Sequence, residues 1–138
     1  MATDAAAGMK AIPLGTTGSW QGVLGPEQTA EALGNPGVKV IASPALLTLI
    51  ERCSHATLQP FCEAEEAAVG IYFQLEHQAA ALPGDPLQVE VKVTRVEGRQ
   101  VEWQVQIRQQ QRLVMQGSYR CRVVNLPRFL ARYGLAPG

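Results

Sequence analysis

From Val69 onward, apolar and polar residues alternate with a period of two. Val69, Ile71, Phe73, Leu75 and His77 are spaced by Gly70, Tyr72, Gln74, Glu76 and Gln78, the pattern of a strand with one face toward a core. Pro83-Gly84-Asp85-Pro86 interrupts the run as a turn, and Leu87, Val89, Val91 and Val93 restart it. After Glu97-Gly98 the alternation returns at Val101, Trp103, Val105 and Ile107. After the polar stretch 108–112 it returns again at Leu113, Met115, Gly117, Tyr119, Cys121 and Val123. Connections this short join neighbouring antiparallel strands, so the last three runs predict a meander.

Upstream the period changes. Leu46, Leu47, Leu49, Ile50, Cys53 and Ala56 follow helical spacing but cover more than one stripe, which predicts a helix buried on several sides. Ser43 suits the N-cap and Pro44 the first helical position, whereas Pro60 cannot continue a helix, so the expected span is Ser43 to Leu58. Before it, Trp20 to Leu24 predicts a short strand, and Gly34, Pro36 and Gly37 break the segment from Gly25 to Val38 into a loop. Residues 1–12 show no period and are expected as a frayed leader, while Arg128 to Tyr133 can form a terminal helical turn. This order predicts one α+β domain over residues 1–138. Its curved antiparallel sheet of about five strands wraps around one central helix.

Composition narrows the functions open to such a domain. Twelve Lys and Arg balance twelve Asp and Glu, which leaves no net field to draw the chain to nucleic acid or an anionic membrane. No apolar run reaches the length of a membrane span and no basic-then-apolar signal opens the chain, so a cytoplasmic protein is expected. Cys53, Cys62 and Cys121 form no CxxC pair and are expected as reduced thiols. His55 follows Glu51 by four residues, only a fragment of a metal motif, so no metal site is expected.

Three residues stand out chemically. His77 continues the apolar side of its strand, where an imidazole needs a partner; a neighbouring carbonyl would satisfy it as well as a catalytic role. Glu51 sits mid-helix among apolar residues, either held there for function or exposed beside Arg52. Ser43 can simply cap the helix, yet a helix N-terminus also favours a developing oxyanion. On one regular helix the rise from Ser43 to Glu51 is ~12 Å, too far for direct contact. Either the first turn is irregular, or the two side chains serve one site from different subunits, or Ser43 is only a cap.

From Val38 to Arg132 these residues resemble the fluoroacetyl-CoA thioesterase family of hotdog-fold enzymes. That family's hydroxyl, glutamate and histidine, with seven and then twenty-five residues between them, are matched without a gap by Ser43, Glu51 and His77. Gly70, Pro83-Gly84, Val96-Glu97-Gly98-Arg99, Trp103 and Gly117 fall in register as well. The resemblance implies a hotdog fold, at least a homodimer with sites at subunit interfaces, and hydrolysis of an acyl-CoA to free acid and CoA. It implies no cofactor beyond the CoA of the substrate. Ser43, Glu51 and His77 become the expected catalytic residues, and the Gly70 N–H a substrate-binding oxyanion donor. Lys10, Arg52, Lys92, Arg95, Arg99, Arg120 and Arg122 are candidates for its phosphates.

Two departures shift the expected substrate. A serine followed by Pro44 stands where the family has threonine, and the aromatic gate falls in register on Gly34 and Gly37. A short or branched acyl group is therefore expected in place of fluoroacetyl. The alternatives are a hotdog enoyl-thioester hydratase or dehydratase and a non-catalytic acyl-CoA binding protein.

Overall fold

A computed structural model of the protein describes residues 9–136; the first eight residues of the expected leader lie outside them. The elements run β1 (Thr17–Val23), α1 (Ser43–Leu58), β2 (Glu66–His77), β3 (Pro86–Glu97), β4 (Gln100–Gln109), β5 (Arg112–Asn125) and α2 (Leu126–Ala131). The strands form one antiparallel sheet in the order β1-β3-β4-β5-β2. The expected meander is its centre, and β1 and β2 close its two sides.

The alternation sorts the faces of the meander. Leu87, Val89, Val91 and Val93 of β3, Val101, Trp103, Val105 and Ile107 of β4, and Tyr119, Cys121 and Val123 of β5 are all buried. Leu46, Leu49, Ile50, Cys53 and Leu58 of α1 belong to the same core. Burial of each large aliphatic side chain contributes roughly 1.5–3 kcal/mol, so this interface between helix and sheet holds the fold together. Pro44, Thr48, Arg52 and Ala56 recur every four residues as an exposed stripe, so one side of α1 remains uncovered.

The chain entry differs from expectation. Met9 and Ile12, assigned to a frayed leader, are buried at 7% and 6% exposure, and the Lys10 N–H donates to the Phe61 carbonyl at 2.8 Å. Two isolated apolar residues carry no period, so only their packing reveals them. β1 starts at Thr17 rather than Trp20 because its backbone pairs with β3 from Thr17 opposite Lys92 onward.

β2 departs most. Its register against β5 shifts between Gly70, opposite Cys121, and Tyr72, opposite Arg120, which leaves Ile71 as the extra residue of a bulge. Side chains on either side of the bulge therefore exchange faces. Ala68 and Gly70 share the inner face with Phe73, Leu75 and His77, whereas uninterrupted alternation placed Val69 and Ile71 there and Gly70 outside. β2 is also an edge strand, with Ile71, Tyr72 and Phe73 between 41% and 43% exposed.

Candidate active site

α1 and the inner face of β2 share a seam. The N-terminus of α1 meets the C-terminal end of β2, and the middle of α1 meets the region of Gly70. Titratable groups collect at both places.

At the first, Ala42 is the extended N-cap, and Ser43 and Pro44 occupy the first two helical positions. Ser43 is thus not the N-cap expected of it. Its Oγ lies 2.7 Å from His77 Nδ1 instead, in an exposed position. With the ring proton on Nε2, Nδ1 accepts from the serine hydroxyl, which is the arrangement of a nucleophile and its base.

At the second, Glu51 is half-buried. The Tyr119 hydroxyl donates to Glu51 Oε2 at 3.3 Å, and His55 Nε2 lies 2.8 Å from the same hydroxyl. Since the phenol has one proton and directs it to Glu51, His55 must donate through its own Nε2–H. The chain then runs from His55 through Tyr119 to the carboxylate. Burial lowers the His55 pKa, with the Glu51 charge opposing it. Burial, aided by Cys121 and Glu51, raises that of Tyr119 well above the phenol range. Both groups therefore stay neutral donors near pH 7.

Gly70 and the aromatic rings complete this end. A Cβ at Gly70 would fall 2.5 Å from Glu51 Oε2 and 2.9 Å from the Phe73 ring, so only glycine leaves the carboxylate its place. Phe73 stacks on Tyr119 with centroids 5.3 Å apart. Below them Trp103 Nε1 approaches Cys121 Sγ at 3.5 Å, and burial pushes the Cys121 thiol up to about 11, which keeps it protonated.

The structure brings Ser43 to His77 and Glu51 to Gly70. It does not bring Ser43 to Glu51, because α1 is continuous from Ser43 to Leu58 and the rise between them is ~12 Å. Tyr119 and His55 were not singled out from the sequence for this role. Their signals were present: a tyrosine on an apolar strand face needs a partner for its hydroxyl, and His55 lies one helical turn beyond Glu51. Gly34 and Gly37 adopt φ of +110° and +82°, and no atom lies within 4 Å of where a Cβ would stand at either.

Comparison with known proteins agrees with this architecture. The family profile described as FlK, fluoroacetyl-CoA-specific thioesterase, matches residues 24–126. The structure of the fluoroacetyl-CoA thioesterase FlK is similar with a TM-score of 0.85 at 24% identity, covering 91% of this chain and 97% of that one. A threonine-to-serine variant of FlK in complex with acetyl-CoA gives 0.85 at 25% identity, with 89% and 97% covered. A hypothetical protein of Thermus thermophilus, a thioesterase superfamily member, gives 0.83 at 27% identity, with 91% and 93% covered. No curated protein sequence matches the chain. With most of its length inside the profile and the same sheet curved around one main helix, the chain belongs to the fluoroacetyl-CoA-specific thioesterase family of hotdog-fold thioester hydrolases.

Proposed function

We propose that the chain hydrolyses a short or branched acyl-CoA to the free acid and CoA, acting in the cytoplasm as a homodimer or larger homo-oligomer without cofactor or metal. The observation that carries this reading is the 2.7 Å contact between the Ser43 hydroxyl and His77 at the open end of α1. It supplies a polarised hydroxyl and a proton carrier on the same seam as a held carboxylate.

In the simplest mechanism Glu51 takes a proton from water, and the water oxygen attacks the thioester carbonyl. The C–S bond then breaks, and the proton taken by Glu51 is relayed through His77 to the departing CoA sulfur, which returns both groups to their starting states. The oxyanion is met by the Gly70 N–H or by Ser43; Pro44 has removed one of the amides that the N-terminus of α1 could have offered. The Ser43–His77 contact also favours a second scheme, in which Ser43 attacks the thioester carbonyl as it passes its proton to His77, the C–S bond breaks as His77 gives that proton to the CoA sulfur, and water later releases the acyl group. A mass increase equal to the acyl group on Ser43 during turnover distinguishes the second scheme from the first.

One protomer holds two half-sites. α1 is regular from its first turn and Ser43 is not its cap, which supports the reading that Ser43 and Glu51 serve one site from different subunits. Among the described residues β2 has a long unpaired edge with exposed Ile71, Tyr72 and Phe73, a surface that proteins seldom leave open. Two such edges paired antiparallel about a dyad would bring the His77 end of one strand beside the Gly70 end of the other.

The acyl preference rests on the loop before α1. Gly34 and Gly37 have no side chain to close a pocket, and each additional buried methylene gains ~0.8 kcal/mol where there is room. Thiol release from acetyl-, fluoroacetyl-, butyryl- and a branched acyl-CoA tests this directly. The expected result is a higher kcat/KM for a longer or branched ester and no large preference for fluoroacetyl over acetyl. A strong fluoroacetyl preference overturns the acyl assignment. Loss of enoyl absorbance without thiol release replaces hydrolysis by hydration, and tight ester binding with no turnover replaces it by binding alone.

A further inference from the structure

The inner face of β2 carries one large apolar side chain that the core does not cover. Ala68 and Leu75 pack against the core, whereas Phe73, between them in the strand, keeps 43% of its surface exposed. Its ring stacks on Tyr119 with centroids 5.3 Å apart. Tyr119, Trp103 and Cys121 are fully buried, so Phe73 is the member of this group with surface to offer. An aromatic face left in water costs free energy that an apolar group packed on it recovers.

The ring also borders the reactive groups. The point where a Cβ at Gly70 would stand is 2.5 Å from Glu51 Oε2 and 2.9 Å from Phe73 Cζ, so the carboxylate and the ring edge flank one small space. Phe73 shares the inner face with Gly70 on one side of it and His77 on the other. It therefore faces the seam whether a site takes its two ends from one protomer or from two. The loop before α1 leaves room without supplying a wall, since no atom lies within 4 Å of a Cβ built at Gly34 or Gly37.

A thioester whose carbonyl meets the Gly70 N–H has two substituents to place. The pantetheine arm carries amides that stay hydrated, so the acyl group takes the apolar side. We propose that the Phe73 ring is the wall on which the acyl group packs and is the residue that sets the preference for a branched over a two-carbon acyl group, an assignment that rests on the thioesterase reading above. Acyl selectivity then resides on the edge strand rather than on the loop before α1.

The test compares the full chain with Phe73→Ala and Phe73→Leu, and with Tyr72→Ala as a control. Tyr72 belongs to the same exposed edge, but its ring lies 4.6 Å from the Arg120 guanidinium on the opposite face. The readout is the ratio of kcat/KM for isovaleryl-CoA to that for acetyl-CoA, which a general loss of folding or of Glu51 orientation would not move. In Phe73→Ala this ratio is expected to fall about tenfold, the contribution of roughly two buried methylenes. Phe73→Leu, which keeps an apolar side chain and guards against loss of folding, should fall by a smaller factor, and Tyr72→Ala should leave the ratio unchanged. Calorimetric binding of ketone analogues of the two esters, in which a methylene separates the carbonyl from the sulfur, needs no turnover and should show the same order. No thiol release from any ester by the parent defeats the thioesterase reading, and the analogue ratio then decides the wall by itself. An equal loss on both esters, an unchanged analogue ratio in the Phe73 variants, or an equal change of ratio in Tyr72→Ala overturns the assignment.

Discussion

The two ends of the α1–β2 seam hold reactive groups in opposite surroundings. Ser43 and His77 meet in the open, 2.7 Å apart, with the contact itself as their main constraint. Glu51 is half-buried, with Tyr119 donating to its Oε2, His55 behind Tyr119, and Gly70 leaving it room. One end is free to exchange protons with whatever reaches it, and the other keeps a carboxylate in a fixed orientation. A site that draws on both gains mobility where protons move and preorganisation where charge is held.

The most severe disruption of this contrast is to remove one end at a time. Glu51→Gln and His77→Ala are each expected to lower kcat by at least ~10²-fold, with circular dichroism and melting behaviour retained. If each site combines the two ends from different protomers, refolding the two inactive variants together should restore activity, because mixed dimers contain one site with both groups intact. No recovery, with mixed dimers demonstrated by mass spectrometry, would show that both ends act within one protomer.

Stability should then separate the ends more gently. Tyr119→Phe keeps the stacking with Phe73 but removes the donor to Glu51, and is expected to lower both kcat and stability, the latter by about 1 kcal/mol. Ser43→Ala removes an exposed hydroxyl and should lower kcat while leaving the urea midpoint unchanged. Equal stability losses in the two variants would erase the distinction between a built end and an open one.

The smallest effect is in the pH dependence of folding. Burial lowers the His55 pKa below its ordinary 6.5, so the unfolded chain takes up this proton before the folded chain does. The stability from a neutral His55 is complete above pH 6.5 and is lost as the pH falls below it toward the folded value. His55→Gln should therefore show a shallower decline of urea midpoint than the parent as the pH falls below 6.5. Identical slopes would place the acid sensitivity elsewhere.

Much of the scaffold was legible residue by residue. The bounds of α1 follow from Ser43-Pro44 at one end and Pro60 at the other, both local restrictions on backbone geometry. Alternation from Leu87 to Val93 and from Val101 to Ile107 named the buried face of two strands, because a central strand under a helix has only one apolar side. The same rule misplaced Val69, Ile71 and Gly70, since one extra residue in β2 reverses every side chain before it. Nothing at Ile71 announces the bulge; it exists only against the register of β5.

The spacing of Ser43, Glu51 and His77 singled out three residues as candidates for chemistry, and the length of a regular helix already kept the first two apart. Which partner each would find belonged to the packing. The Ser43 hydroxyl left the cap position for His77 because Ala42 took the N-cap and β2 ended beside the first turn. Tyr119 and His55 joined Glu51 because β5 and α1 face each other across the core. Local backbone preferences and side-chain periodicity act over a few residues and can be read along the chain. Hydrogen bonds between residues as far apart as His55 and Tyr119 depend on how strands register and a helix sits on them, and that geometry exists only in the folded protein.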